Sequence, residues 1–218
     1  MNLTKTQICN LALSHIGVTK NISNVDTENS VDAEQCRQFF PIALKESLEE
    51  CRFSVAQNTK SLELITEEPL EEWDYAYRYP ADCLFVDSIL RDNDYNGLSY
   101  TNRTNAIKED GLYDVEYIVS YFNGDKVIFT NQENARIRYT KNVDIGAKFS
   151  AKFEIGLSYL LALYIAPTVS KGRQGNYEAR LMRMYKMKME GAQALNFNES
   201  GSEEVDDRSQ IELWRRGY

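Results

Sequence analysis

The sequence is poor in the residues that usually carry catalysis or cross-linking. It has one histidine and four cysteines among 218 residues. A single histidine excludes a metal site built from two histidines of one chain, and a histidine-based dyad or triad would have to use His15. The cysteines contain no CxxC pair, which indicates buried reduced thiols rather than a zinc site or a disulfide framework; they are Cys9, Cys36, Cys51 and Cys83.

An excess of basic residues and a long apolar run are also missing. Lys and Arg number 25 against 33 Asp and Glu, which gives a net charge of -8 and argues against a sequence-independent grip on nucleic acid. Asn10, Ser14 and His15 interrupt the first helix-like segment, so this segment predicts neither a signal peptide nor a membrane span. We expect a protein made in the cytosol that contacts no membrane.

The common catalytic motifs are absent from the sequence. There is no GxxxxGK[ST], no GxGxxG after a strand, no GxSxG and no HExxH. His15 falls on an apolar stripe near the carboxyl end of the first helical segment, where an imidazolium suits the helix dipole, so we predict a structural role for it. A carboxylate pair for glycoside hydrolysis needs no fixed spacing and stays open. We expect no enzyme, no cofactor and no metal.

What is present is helical periodicity at both ends of the chain. Apolar residues at helical spacing predict helices over 4–16, 31–50, 149–166 and 176–195, with Thr4 as an N-cap. Pro41 falls inside the second helix, and Pro167 is expected to end the third. The third segment is apolar on more than one face, which is typical of a central helix.

The middle of the chain reads as strands. Aromatic residues at period two over 73–79, an apolar run over 84–86, and strand-like runs at 115–119, 126–130 and 135–139 surround a hairpin turn at 123–125. Within the acidic stretch 54–74, residues 67–73 (EEPLEEW) indicate an exposed connector followed by an aromatic anchor. We therefore predict an α+β, mainly α fold: a helical bundle with an inserted small antiparallel β-sheet and an extended carboxyl-terminal tail. Its parts are 1–70 (N-terminal helices), 71–146 (inserted β region), 147–195 (C-terminal helices) and 196–218 (docking tail).

Two groups of residues indicate contact surfaces. The tail cannot pack a core of its own, yet it ends in side chains that are enriched at binding hot spots: Leu213, Trp214, Arg215, Arg216 and Tyr218. A second, basic group is expected to line a channel, to pair with acids of a neighbouring subunit or helix, or to form a solvated helix face: Lys171, Arg173, Arg180 and Arg183.

The order of several segments carries a family resemblance. They are 8–17 (ICNLALSHIG), the helix 36–51 leading into 52–56 (RFSVA), 73–84 (WDYAYRYPADCL), the hairpin ending in 137–140 (IRYT), and 214–218 (WRRGY). With these segments the chain resembles the tail tubular protein A, or head-to-tail adaptor, family of short-tailed bacteriophages. The likeness covers most of the chain, although the family often has a tryptophan where Cys51 and Arg52 stand, and 92–111 looks individual.

The resemblance implies a function. It implies a homo-oligomeric ring, commonly a dodecamer, that sits between the portal protein and the tail nozzle or other tail proteins, with DNA passing through non-specifically. It also implies a virion protein that assembles in the host cytoplasm, with the carboxyl-terminal segment docking on the portal. The alternative is a tail-associated glycan hydrolase that uses two carboxylates. A regulator that imitates DNA fits less well, because the charges are interspersed.

Overall fold

Four helices form one part of the molecule. The computed structural model describes residues 3–50, 52–90, 115–145, 149–169 and 177–199. Helix α1 begins after Thr4, whose side chain accepts a hydrogen bond from Gln7 N while the Gln7 side chain accepts one from Thr4 N, as a capping box requires. The helices are α1 (Lys5–His15), α2 (Val31–Glu50), α3 (Ala151–Val169) and α4 (Tyr177–Glu199).

Helix α3 is the centre of the helical part. It packs against each of the other three helices and is buried around more than one face, as its sequence predicted. Because α3 is apolar on several sides, it gains from being enclosed rather than lying on a surface. Its largest fully buried side chains are Phe153, Leu157, Leu160, Leu161 and Ile165.

Two helix ends differ from the expected positions. Helix α3 continues past Pro167 to Val169, because a proline this close to the end removes only one of the last backbone bonds of the helix. Helix α4 continues to Glu199 rather than ending at Leu195. The side chain of Asn196 explains part of this extension, since it accepts from Ser54 N at 2.9 Å and donates to Arg52 O at 3.1 Å.

The other part consists of two antiparallel sheets, ordered β1-β7-β4 and β2-β3-β6-β5. Asn123 and Gly124, both with positive φ, make the tight turn between β5 and β6. The strands are β1 (Gln57–Ser61), β2 (Leu64–Leu70), β3 (Trp73–Arg78), β4 (Cys83–Leu90), β5 (Tyr117–Phe122), β6 (Asp125–Thr130) and β7 (Arg136–Lys141).

The prediction of a mainly helical bundle with a small inserted sheet is therefore wrong. The fold is α+β with substantial sheet, and the strands that the structure describes form one three-stranded and one four-stranded antiparallel sheet. The error lies in β1 and β2, which fall in the part expected to form the N-terminal helices, and β2 also overlaps the predicted connector 67–73. Both are edge strands: β1 is almost wholly exposed, and β2 contains Pro69, so neither shows the alternation by which half-buried strands are recognised.

A buried cluster joins the two sheets, and a few side chains join them to the helices. Tyr77 and Ile128 of the four-stranded sheet pack with Ile89, Ile137 and Tyr139 of the three-stranded sheet. Leu84 of β4 and Val143, which follows β7, pack against the helical core. The end of the three-stranded sheet therefore meets the helices, and the segment that follows α2 crosses this seam.

Candidate functional site

An open groove lies between α2 and α4 and is lined mainly by polar and charged side chains. Its volume is about 460 Å³. Glutamates from the last turns of α2 form one wall, and a methionine, a tyrosine and a lysine from α4 form the other. The lining residues are Glu46, Glu49, Glu50, Met182, Tyr185 and Lys186.

Tyrosine hydroxyls hold two of the glutamates in place. Tyr164 of α3 donates to Glu46, and Tyr185 of α4 donates to Glu50. The contact with Glu46 raises the pKa of Tyr164, because a proton shared with a carboxylate is harder to remove. Glu49 lies 3.6 Å from Lys45 one turn earlier. The groove therefore presents carboxylates whose positions are set by all three helices.

Two basic residues of α4 that the sequence singled out, Arg180 and Arg183, differ in their surroundings. Arg180 donates to the backbone oxygen of His15 at 2.9 Å, so it ties the start of α4 to the end of α1. Arg183 is exposed and forms no ion pair with the residues that the structure describes. Met187, one turn further along the same face, is half exposed. Arg183 and Met187 thus form an outward-facing surface that is both basic and apolar.

The remaining predicted contact residues lie outside the described residues. These are Lys171 and Arg173, and the tail residues Leu213, Trp214, Arg215, Arg216 and Tyr218. Of the seven side chains that make the groove and position its glutamates, the sequence patterns singled out none for this role. The only signal was the clustering of Glu46, Glu49 and Glu50 at the end of one helix, which reads equally well as a solvated face.

His15 packs inside the helical part rather than facing the groove. Its ring stacks on Tyr159 at 3.8 Å, and Nε2 lies 3.0 Å from Ser158 Oγ. Ser158 donates its own proton to Ile155 O at 2.6 Å, so Nε2 is the donor to Ser158 and cannot act as a base toward it. Burial, together with the charge of Arg180, lowers the pKa of His15 to about 4. The expected imidazolium at the helix end is therefore a neutral imidazole.

The described cysteines have the features of structural thiols. Cys9 of α1 and Cys36 of α2 are fully buried and adjacent, and the hydrogen bond with Cys36 together with burial raises the pKa of Cys9. Burial also raises the pKa of Cys83. The same hydrogen bond lowers the pKa of Cys36, but Cys36 is fully buried, whereas a nucleophilic cysteine must be accessible as well as shifted toward the thiolate. Cys51 lies outside the described residues.

A buried carboxylate lies at the seam between helices and sheets. The side chain of Asp87 on β4 is 3% exposed, and Arg52 Nε approaches Oδ1 to 2.8 Å without the alignment of a hydrogen bond. Thr140 Oγ1 donates to the other oxygen at 3.4 Å. Burial raises the pKa of Asp87 although Arg52 lies beside it. An acid inside the apolar strand 83–90 was the sequence signal for this contact.

Metal binding and membrane crossing find no support in the described ranges. No group of three or more His, Cys, Asp or Glu residues could hold a metal ion there. Within the same ranges, no helix combines the length and apolar character that crossing a membrane requires. No protein-family model matches the chain, and no match was found among curated proteins.

The charged side chains of the groove and of the outer face of α4 are accessible, whereas Asp87, the histidine and the described cysteines are packed inside the protein. Opposite charges occur on different surfaces of the same body, with carboxylates in the groove and Arg183 on the outer face of α4.

Proposed function

We propose that the chain is a structural head-to-tail adaptor of a short-tailed bacteriophage. Twelve copies form a ring between the portal protein and the tail nozzle, and the ring encloses a channel through which DNA passes. The chain transforms no substrate and uses no cofactor. It functions in the virion, assembles in the host cytoplasm, and docks on the portal through the tail that ends at Trp214 and Tyr218. The proposal rests first on the segment order described above.

The structural observation that carries the proposal is the contrast between the groove, where three glutamates outnumber one lysine, and the outer face of α4, where Arg183 is exposed. Glu46, Glu49 and Glu50 form an acidic wall, whereas Arg183 and Met187 face outward on the other helix. A contact between two different surfaces of identical chains is heterologous, and it closes into a ring when the rotation per copy divides a full turn. In the proposed ring, the outer face of α4 in one copy lies against the groove of the next.

The bonds of Asn196 determine where the tail can be cut. Asn196 accepts from Ser54 and donates to Arg52, so a truncation that removes it would disturb the seam between helices and sheets. A test of docking should therefore remove 200–218 and keep α4. The core clusters are built from described residues that all precede this cut, so we expect the truncated chain to fold.

The deciding experiment combines the purified chain with the portal protein of the same particle. Mass measurement should show about twelve copies of the full chain on each portal ring, whereas the chain without 200–218 should stay folded and unbound. Trp214→Ala should weaken binding more than any single exchange in 200–209. A matched control replaces 200–209 with a flexible Gly-Ser linker of equal length, which keeps the anchors and should retain binding. Undiminished binding by the truncated chain would contradict the proposal.

The groove is the candidate location for the alternative function, a carboxylate-dependent glycan hydrolase. Glu46 and Glu50 lie on one wall of an open cavity, which is where a sugar chain could meet two acids. Incubation with cell-wall or capsular glycan, followed by measurement of released reducing ends, tests this. Turnover that is lost in both Glu46→Gln and Glu50→Gln while the fold is retained would establish the hydrolase in place of the adaptor.

A further inference from the structure

The groove between α2 and α4 contains more acidic than basic groups. Its lining has Glu46, Glu49 and Glu50 but a single cation, Lys186. Among the residues that the structure describes, Lys45 is the only lysine or arginine within ion-pair distance of these glutamates, at 3.6 Å from Glu49. An excess of carboxylates in one concave surface favours a cationic ligand.

The glutamates are held in place without being saturated. Tyr164 donates a hydrogen bond to Glu46, and Tyr185 donates one to Glu50. A carboxylate offers about four acceptor positions, so both side chains can still accept two parallel bonds from a guanidinium group. Because the tyrosines fix the carboxylates beforehand, less side-chain freedom is lost when such a ligand binds. The groove therefore fits arginine.

Apolar side chains lie beside these acids. Ile42 is one turn before Glu46 on the same face of α2, and it is 47% exposed. Met182 and Tyr185 line the groove from α4. A half-exposed isoleucine gains free energy when it is covered, and methionine adapts its shape to an aromatic ring. A ligand that matches the whole surface therefore carries an aromatic side chain next to its arginines.

One segment of the chain outside the described residues has this composition. Residues 213–218 (LWRRGY) contain the only two adjacent basic residues of the sequence, Arg215 and Arg216, between Trp214 and Tyr218. Residues 200–212 before them contain five acids and one arginine. The glutamates of the groove repel this acidic part and attract the arginines, so charge selects the end of the tail.

The connection is long enough for the tail to reach the groove of its own copy. Helix α4 ends at Glu199, and Tyr185 lies about 21 Å back along the helix, at about 1.5 Å per residue. Residues 200–213 can span about 46 Å when extended, at about 3.3 Å per residue. A short connection also keeps the end of the tail at a high effective concentration, which favours binding within one copy over binding between copies.

We propose that residues 213–218 dock in the groove of their own copy while the protein is free. The guanidinium groups of Arg215 and Arg216 then meet the glutamates of the groove. The ring of Trp214 covers Ile42 and packs against Met182. One short segment thus covers the charged and the apolar parts of the groove together.

The docked tail is autoinhibitory, a consequence that rests on the proposed ring. In that ring the groove receives the outer face of α4 from the next copy, so a tail in the groove keeps two free copies apart. A portal that binds Trp214 and Tyr218 withdraws the tail and uncovers the groove. Ring closure is then restricted to copies that have already met the portal.

Fluorescence of Trp214 in the full chain, without portal protein, tests the docking. Trp73→Phe leaves Trp214 as the only tryptophan. In this background Trp214 should emit at short wavelength and be protected from acrylamide, equally at all protein concentrations. Glu49→Arg should lower the ratio of docked to free tail about tenfold, because it replaces an attraction with a repulsion. Glu133→Arg, an exposed acid in the turn before β7, is the matched control and should change neither property.

A second variant changes only the tail, so it cannot disturb the folded part. Arg215→Glu combined with Arg216→Glu should release Trp214, whereas Arg208→Glu in the acidic part should not. Adding Glu49→Arg to the double exchange should recover part of the protection, because opposite charges then face each other again. Circular dichroism of each variant checks that the protein remains folded.

Three results would each overturn the proposal. One is a Trp214 that acrylamide quenches freely in the otherwise native chain. Another is protection that either Glu49→Arg or the double arginine exchange leaves unchanged. The third is protection that grows with protein concentration, which would place the tail in the groove of a second copy. None of these measurements involves the portal or the ring, so a failure of the docking and a failure of the adaptor function are distinguishable.

Discussion

His15 is neutral because its burial outweighs the preference of a helix end for a positive charge. The end of a helix favours a positive charge by only about 0.3–1 kcal/mol at exposed positions. Burial of the ring against Tyr159 and the nearby charge of Arg180 act against that charge and prevail. The neutral imidazole then donates a hydrogen bond to Ser158, which makes His15 part of the packing between α1 and α3.

This environment predicts a pH dependence of stability. The folded pKa of His15 is lowered from 6.5 to about 4, so the unfolded chain binds a proton more readily than the folded chain. The contribution of the neutral His15 ring to the free energy of unfolding is fully present above pH 6.5 and is lost as the pH falls toward the folded pKa. Allowing for the partial exposure of the ring, we expect a loss of about 1–2 kcal/mol.

The measurement is the free energy of unfolding in urea at several pH values, for the native chain and for His15→Gln. His15 is the single histidine, so the difference between the two curves isolates its titration from that of the 33 acids. The native chain should lose more stability than the variant between pH 6.5 and about 4. Parallel curves across this range would show that the folded imidazole titrates normally.

Among the elements, α3 and α4 depend on a close approach at one glycine. A Cβ added at Gly156 would lie 2.9 Å from Met189 Sδ and 3.4 Å from Lys188 Cβ. At Gly191, an added Cβ would lie 3.1 Å from Cδ of Lys152, a flexible and exposed side chain. The two helical glycines are therefore not equivalent.

Substitutions at these two glycines should have opposite effects on stability. Gly156→Leu should destabilise the protein by about 2–3 kcal/mol, because the added side chain forces α3 and α4 apart. Gly191→Ala should be neutral or stabilising by up to about 1 kcal/mol, because alanine favours the helix and the lysine can move. Urea midpoints for both variants provide the measurement. A Gly156→Leu midpoint equal to that of the native chain would show that the helices are not tightly apposed there.

The sequence patterns predicted elements well where those elements have an apolar side. Helices α1 to α4 and strands β3 to β7 could be recognised, because burial imposes a period of 3.6 or 2 on their residues. The polar edges β1 and β2 have no such period, and their strand form follows from pairing with β7 and β3. The groove could not be predicted from the sequence either, because Tyr185 and Glu50, which are hydrogen-bonded there, lie 135 residues apart in the chain.

For the whole molecule, the proposed ring depends on two surfaces that differ in charge. For the basic group that includes Arg183, contact with a neighbouring subunit is one of the alternatives that the sequence left open, and Glu49 lies in the groove that would receive Arg183 in the proposed ring. Exposed ion pairs contribute little individually, typically about 0.2–1 kcal/mol, but every contact of a ring repeats them. Assembly should therefore respond strongly to single charge reversals and to salt.

A charge exchange tests this contact. Arg183→Glu should reduce ring formation on the portal, Glu49→Arg should do the same, and the two exchanges combined should recover part of the loss, because the opposite charges then face each other again. The measurement is the number of copies bound to the portal at low and at high salt. Exchanging Glu63, an exposed acid next to β2, for Arg serves as the control. Additive losses without recovery would place the ring contact elsewhere.

The hydrogen bonds of Asn196 also affect how a force applied to the carboxyl end of the chain would be distributed. Its side chain holds the last turn of α4 to Arg52 and Ser54, at the junction of the helical part with β1. A pull on the carboxyl end would therefore be shared with the start of the three-stranded sheet, instead of peeling α4 away turn by turn. Strain from a moving neighbour would spread over both halves of the molecule at once.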